Sequence, residues 1–351
     1  QKRVSLCYKK LSMSKKNSSA KFKNGFKDFK DLSSIFQNFK KKLDLLNKKS
    51  YAVAVSGGPD SLALVALTKS YNYYKKTKFR YVLVDHNIRK KSAREAKQVK
   101  KLLKKSKISL NIILNKKKIT KNIQSRAREI RYEILSNYCK KNKINNLLTA
   151  HNLEDQVETF LIRLSRGSGL KGLSAMNYLS KIDNKINLYR PLLDTKKFFL
   201  IKISKKAFGK YFKDPSNKNS KYLRTKVRSL KKPLEKNGIE YEQIIKSIKN
   251  LALSKDTLDK YFKSIFKDII KKTKKEILVN FRKFKLLNNE EKIAVINESI
   301  KKLKNNYYNS RSKKVGNLIN NIEKSGFKKS TLGGCVFIIK KGNLCLNIEK
   351  S

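Results

Sequence analysis

Histidine is nearly absent, with two residues in 351. The four cysteines, Cys7, Cys139, Cys335 and Cys345, form no CxxC pair. These absences leave little material for a zinc site and none of the paired thiols that sulfur-handling enzymes carry. They fit free thiols in a reducing compartment, and a cytoplasmic protein is expected. Acids are scarce as well. Asp and Glu number 26 against 87 Lys and Arg, for a formal net charge of +61. An AT-rich genome would raise Lys, Asn and Ile through codon use, but it does not account for the shortage of acids. The imbalance points to a polyanionic partner, most simply nucleic acid. No apolar run approaches the length of a membrane span, so no membrane partner is expected.

What is present is a layered pattern. Residues 51–55, 80–85, 110–114 and 146–150 are short apolar runs of strand length. Helix-length segments at 60–71, 92–105, 122–141 and 153–166 separate and follow them. This alternation predicts an α/β fold, a parallel doubly wound sheet with helices on both faces. Ligands in such sheets bind beyond the carboxyl ends of the strands. Three strands end in polar residues: SGGPDS after the first, Asp85-His86-Asn87 at the second, Ala150-His151 at the fourth. One sheet edge therefore collects them.

Beyond Arg190-Pro191 the pattern changes. A helix is expected over 196–208, then a polar loop running into a basic helix over 213–228. Residues 239–325 read as helical and Lys-rich, with apolar spacing at Ile244, Ile245, Ile248 and Leu251. The C-terminal stretch alternates around Lys341-Gly342-Asn343 as a β-hairpin does. Residues 1–45 are basic and acid-poor but hold little Arg, so a loose basic arm is expected rather than a transit peptide. Met13 is a candidate start. The expected organisation is an N-terminal extension over 1–45, a nucleotide domain over 46–215, a basic helical region over 216–325 and a small β element over 326–351.

The first strand runs into Ser56-Gly57-Gly58-Pro59-Asp60-Ser61 and then a helix. The glycines let the backbone turn and bring its N–H groups close to a ligand. Pro59 suits a first helical turn. The helix start offers unpaired donors and a positive dipole end, and Ser56 and Ser61 add hydroxyls. This is a phosphate site, yet this loop fits neither GxxxxGK[ST] nor GxGxxG nor GxSxG. Asp60 is an anion among anion-binding groups. A divalent cation resolves the conflict, because Mg²⁺ takes a carboxylate or two together with phosphate oxygens. The loop thus argues for a Mg²⁺–nucleotide.

SGGPDS resembles the SGGxDS loop of the ATP pyrophosphatases, which split ATP between the α and β phosphates. GMP, NAD and argininosuccinate synthetases and tRNA thiolases share that loop. Further along, residues 147–176 carry AHNLEDQVETFLIRLSRGSGLKGL. On a helix, Val157, Phe160, Leu161 and Leu164 form an apolar stripe, and His151, Asp155 and Glu158 fall roughly opposite. A solvated acidic face is the plain alternative, but acids are rare here and this cluster follows a strand end. The segment resembles the AHxxDDxxETxxxxLxRGSGLxGL signature of tRNA(Ile)-lysidine synthases, with Glu154 where that family usually has Asp. VDHNIRKKSAREA (84–96), RAREIRY (126–132), YRPLL (189–193), DPSN (214–217) and YLRTKVR (222–228) resemble further family motifs in order. In the last of them Thr225 replaces the usual Asn. TLGGC (331–335) resembles a C-terminal element of some members.

The resemblance implies a ligase. ATP would adenylate the C2 oxygen of the wobble cytidine in the CAU anticodon of tRNA(Ile). The amine of free L-lysine would displace AMP and leave lysidine. The N–H groups of residues 57–61 would hold pyrophosphate, and Asp60 and Asp155 are candidates for Mg²⁺. Arg128 or Arg131 would neutralise the α-phosphate. His86 and Arg89 would lie near the adenosine. His151 joins the catalytic set. Asp155 and Glu158 would hold lysine and accept its proton, and which of the two acids serves Mg²⁺ stays open. Arg166, Gly167, Arg224 and Arg228 would contact substrate. The oligomeric state stays open, a homodimer included. A tRNA thiolase would call for cysteine pairs, an amidotransferase-type synthetase for a glutaminase partner, and an RNA-binding module for no intact loop.

Overall fold

A computed structural model of the chain describes residues 22–23, 26, 30–89, 91–117, 119–120, 123–183, 185–213, 223–273, 276–304 and 312–349. The expected DPSN segment, Met13 and Cys7 lie outside the described residues. The chain divides into two compact units between Lys249 and Asn250.

The first unit opens with α1 (Lys30–Leu46), then β1 (Ser50–Val55), α2 (Pro59–Tyr74), β2 (Lys78–Asp85), α3 (Ser92–Lys104), β3 (Leu110–Leu114), α4 (Ile123–Lys141) and β4 (Asn146–Leu148). The next elements are α5 (Leu153–Leu164), the short α6 (Leu170–Leu173), β5 (Leu179–Lys181), β6 (Asn187–Tyr189) and α7 (Lys197–Phe208). The short helices α8 (Leu223–Ser229) and α9 (Lys231–Lys236) close the unit before α10 (Tyr241–Ile269), within which the division falls. The six strands are ordered β3-β2-β1-β4-β6-β5, all parallel except β5.

Period-2 alternation sets the two faces. Tyr51, Val53 and Val55 of β1, with Tyr81 and Leu83 of β2, join a core built with α1, α2, α3 and α7. Ala52 and Val82 point the other way, onto Leu135 and Cys139 of α4. The chain therefore changes faces after β3, and β4 lies on the far side of β1. A topological switch point follows between β1 and β4, where the loops leaving the two strands diverge and open a crevice.

The strands β5 and β6 were not expected, and two further features depart from expectation. Residues 30–46 are not a loose arm. Leu32, Phe36, Phe39 and Leu43 recur at helical spacing and are buried in the main core. Lys42 Nζ also reaches Asp194 Oδ1 at 2.7 Å and the Pro191 carbonyl at 2.9 Å. The second departure lies in the C-terminal unit. Its residues include β7 (Ile270–Lys272) and β8 (Ile277–Asn280), then α11 (Phe281–Lys285), α12 (Asn289–Leu303), α13 (Ser312–Glu323), β9 (Ser330–Leu332), β10 (Cys335–Lys340) and β11 (Asn343–Ile348). The expected hairpin forms, turning through Lys341 and Gly342 at positive φ. It does not stand apart, because β11 pairs with β8 to make a five-stranded antiparallel sheet ordered β7-β8-β11-β10-β9. The β7 and β8 runs are too short to announce themselves inside a Lys-rich helical stretch. β8 becomes a strand through pairing with β11, more than 60 positions away, and β7 by pairing in turn with β8. Among the described residues Cys139, Cys335 and Cys345 are free thiols, all buried.

Candidate active site

The crevice is floored by the loop leaving β1. Gly57 takes φ +82°, and a Cβ placed there would lie 2.5 Å from Val99 Cγ2, so glycine is required both for the turn and for the approach. The Gly57 carbonyl accepts the Phe212 N–H at 3.0 Å. Ser61 Oγ receives the Ser56 N–H and donates to the Gly58 carbonyl, each at 3.1 Å. Gly58 caps α2 and Pro59 occupies its first turn. Pro59 has no N–H, so Asp60 and Ser61 supply the unpaired donors of that turn.

Asp60 rises from this first turn. Among the described residues its Oδ1 is buried without a hydrogen-bond partner, and its Oδ2 lies 3.8 Å from Lys197 Nζ. Burial pushes its pKa up to about 6. The Lys197 ammonium opposes the shift, and the charges of Asp155 and Glu154 add to it. An orphaned, buried carboxylate oxygen beside phosphate-binding N–H groups fits a divalent cation. Among the described residues no three His, Cys, Asp or Glu converge as a metal cluster. Mg²⁺ needs none, since the phosphate oxygens complete its shell.

The opposite wall is the start of α5. His151 precedes the helix, with Nδ1 3.0 Å from Thr149 Oγ1. Burial depresses its pKa to about 3, with Arg128, Arg190 and Arg224 adding to the effect against Asp155. At neutral pH it is an uncharged hydrogen-bonding group. Asn152 caps α5 by accepting the Asp155 N–H at 2.9 Å, and Asp155 Oδ2 accepts the Asn152 N–H at 3.1 Å. This capping box uses one oxygen of Asp155. The other, Oδ1, lies 4.0 Å from Arg224 Nη2 and 3.9 Å from Arg228 Nη2. Glu158, one turn on, is buried. Its Oε2 accepts from Arg224 Nε at 3.0 Å, and its Oε1 accepts from Arg228 Nε at 2.5 Å. Arg224 and Arg228 stand at i and i+4 on α8, so one face of that short helix grips one carboxylate.

A second pair lies at the end of β2. Arg131 Nε donates to His86 Nε2 at 3.2 Å. Burial and the guanidinium hold His86 down at about 4, and its Nδ1 is buried without a partner among the described residues. Arg128, on the same helix α4, lies over the Tyr132 ring at 5.1 Å, and its charge reaches His151. Gly57 to Ser61, His151, Asp155, Glu158, Arg128, Arg224 and Arg228 thus share the crevice, with His86 and Arg131 at its β2 side. Arg89 is instead paired with Glu95 at 2.9 Å. Arg166 and Gly167 lie exposed just past the far end of α5, about 15 Å along the helix from Asp155.

Two residues of the crevice carried no sequence signal, Lys197 facing Asp60 and Asn152 as cap, and the Arg of the YRPLL motif, Arg190, is buried beside them. Arg190 donates to the Asn177 carbonyl at 2.7 Å and to Ser180 Oγ at 2.9 Å. Residues 167–172 spell GxGxxG, but they follow a helix rather than a strand, so the dinucleotide reading of that spacing does not apply. Grooves of about 560 Å³ at Lys30, Leu32 and Lys202 and about 480 Å³ at Leu161, Leu164 and Leu223 include no residue of the glycine loop.

Residues 30–234 match the family model of the PP-loop domain. The tRNA(Ile)-lysidine synthase of Wolbachia pipientis wMel is 34% identical over 328 residues, covering 92% of this chain and 75% of that protein. The enzyme of the same name from Orientia tsutsugamushi strain Boryong is 42% identical over 185 residues, 52% of this chain and 41% of that protein. Among solved structures, the U34-tRNA thiolase NcsA from Methanococcus maripaludis superposes with a TM-score of 0.53 at 22% identity, covering 63% of this chain and 78% of that one. That last likeness is one of fold.

Proposed function

The chain belongs to the tRNA(Ile)-lysidine synthases, ATP-using tRNA-modifying enzymes built on a PP-loop domain, and from that premise we propose that it ligates free L-lysine to C2 of the wobble cytidine of a CAU-bearing tRNA(Ile). The C2 oxygen attacks the α-phosphorus of ATP, and the bond to the β-phosphate oxygen breaks. The lysine amine then attacks C2, the C2–O bond breaks, and AMP leaves with the electron pair. The attacking nitrogen gives its proton to a carboxylate.

The observation that carries the reading is Asp60 Oδ1, a buried carboxylate oxygen without a partner among the described residues, in a loop of phosphate-binding donors. Mg²⁺, held by Asp60, would supply charge neutralisation at the phosphates. The N–H groups of Asp60 and Ser61 and the hydroxyl of Ser56 would hold pyrophosphate. Arg128, half-buried and set in the crevice, would face charge growing at the α-phosphate. Asp155 and Glu158 take different parts. Both Glu158 oxygens are engaged by Arg224 and Arg228, so Glu158 orients those arginines toward the substrate. Asp155 Oδ1 lies beyond hydrogen-bond distance of Arg224 and Arg228, and it would receive the lysine ammonium and its proton. The excess of lysines would hold tRNA phosphates.

The test is pyrophosphate release from ATP with Mg²⁺, lysine and a CAU-bearing tRNA(Ile), each omitted in turn, together with incorporation of radiolabelled lysine. Release that requires that tRNA, followed by label in the tRNA, is expected. Release without incorporation would leave the PP-loop chemistry standing and remove lysine as the nucleophile.

A further inference from the structure

Glu154 is the acid at which this chain departs from the Asp of the family pattern, and the reaction above gives it no part. It is set into the turn before α7. Its Oε2 accepts the Lys197 backbone N–H at 2.8 Å. Lys197 is the first residue of α7, and its preceding residue, Lys196, makes no side-chain cap bond. Glu154 therefore supplies that cap from another helix, as the acceptor for an otherwise orphaned donor. The turn is fixed at other points. The Leu153 N–H donates to the Thr195 carbonyl at 3.1 Å, and Lys42 holds Asp194 at 2.7 Å. From this anchored backbone the Lys197 side chain extends to Asp60, Nζ to Oδ2 3.8 Å. That ammonium is about a third exposed and stands beside the loop that receives phosphate.

We propose that Glu154 is a positioning residue that fixes the first turn of α7, so that the Lys197 ammonium faces the glycine loop and binds the phosphates of ATP there. The inference rests on the ATP-using reading of that loop. Without nucleotide, Lys197 offsets the Asp60 carboxylate. With nucleotide present, the phosphates offer it a stronger anion at the same place. The carboxylate of Glu154 acts here as the acceptor for a backbone N–H, and its other oxygen, Oε1, lies 3.6 Å from Lys231 Nζ. An acid one methylene shorter, on the same α5 backbone, would reach less far toward that N–H.

The experiment uses the full chain and titrates ATP with Mg²⁺ by calorimetry, with tRNA-dependent AMP formation giving KM and kcat. Lys197→Met is expected to weaken ATP binding by about tenfold, the worth of one charge-assisted contact, mainly in KM. Glu154→Ala should show a similar loss, and Glu154→Gln, which keeps an acceptor oxygen, should recover it. Adding Glu154→Ala to Lys197→Met should cost nothing further. Glu154→Gln failing like Glu154→Ala would mean the charge matters, as for a metal ligand, and would overturn the proposal. So would an undiminished Glu154→Ala effect in the Lys197→Met background, or variants that bind ATP as the wild type does. A wild-type chain that bound no ATP would overturn the nucleotide reading of the loop and this inference with it.

Discussion

Asp60 opposes folding before any ligand arrives. Its carboxyl ionises at about 6 in the folded chain against 3.8 for an ordinary Asp, chiefly because burial disfavours the charge. The folded state therefore holds this proton more tightly than the unfolded one. The stability it contributes is fully present below pH 3.8 and is lost as the pH rises through about 6. Asp60→Asn has no proton to lose. Without nucleotide, it is expected to be more stable than the wild type well above pH 6, by on the order of 1–3 kcal/mol, and the gap should close in acid. Denaturant unfolding at both extremes measures this, and a gap that does not change with pH would show that Asp60 is not desolvated. The same variant should lose Mg²⁺-dependent ATP binding. A residue destabilising at neutral pH is accounted for by its ligand, not by the fold.

At the scale of elements, the β1–α2 turn and the α5–α8 contact hold the site. Gly57 and Gly167 both take positive φ, +82° and +66°, but only Gly57 faces side chains within 4 Å. Gly167→Ala should cost about 1 kcal/mol in backbone strain. Gly57→Ala adds the clash with Val99 and should cost about 2–4 kcal/mol, with ATP binding lost alongside. Chemical denaturation of both variants compares the two, and equal losses would mean that Val99 moves aside freely. The helix α1 makes a related point. Its four buried residues stand at helical spacing in the sequence, but with lysines between them they also read as a basic arm. What decides is the apolar surface of α2 and α7 on which they pack, which no local pattern records.

For the whole molecule, the place to cut is set by packing. Tyr241, Ile244, Ile245 and Ile248 pack on Leu153 and Val157 of α5. Truncation after residue 235 would strip that cover from the helix that carries Asp155 and Glu158. Truncation after Lys249, where the compact units divide, is expected to leave ATP binding within about twofold of the full chain and to weaken tRNA binding at least tenfold. The second effect follows if the basic C-terminal unit neutralises phosphates, because several such contacts then vanish together and the salt dependence becomes shallower. Filter binding against salt concentration checks this, and an unchanged slope would place the tRNA contacts in the first unit.

The sequence by itself determined four of the six strands, the glycine loop and the acids beside it. Short apolar runs separated by helix-length segments leave few right-handed topologies; Gly57 and Asp60 were legible because each breaks a local rule, and Asp155 and Glu158 because acids are scarce in this chain and these two follow a strand end. Only the tertiary structure decided what those residues touch. It placed β4 beside β1, set Lys197 against Asp60, engaged Glu158 with two arginines from a helix 66 and 70 residues away, and joined β8 to the C-terminal hairpin. A local pattern records which face a side chain takes, because φ and ψ repeat over a few residues. It does not record partners brought together by the closure of long loops, whose identity depends on the whole packed core.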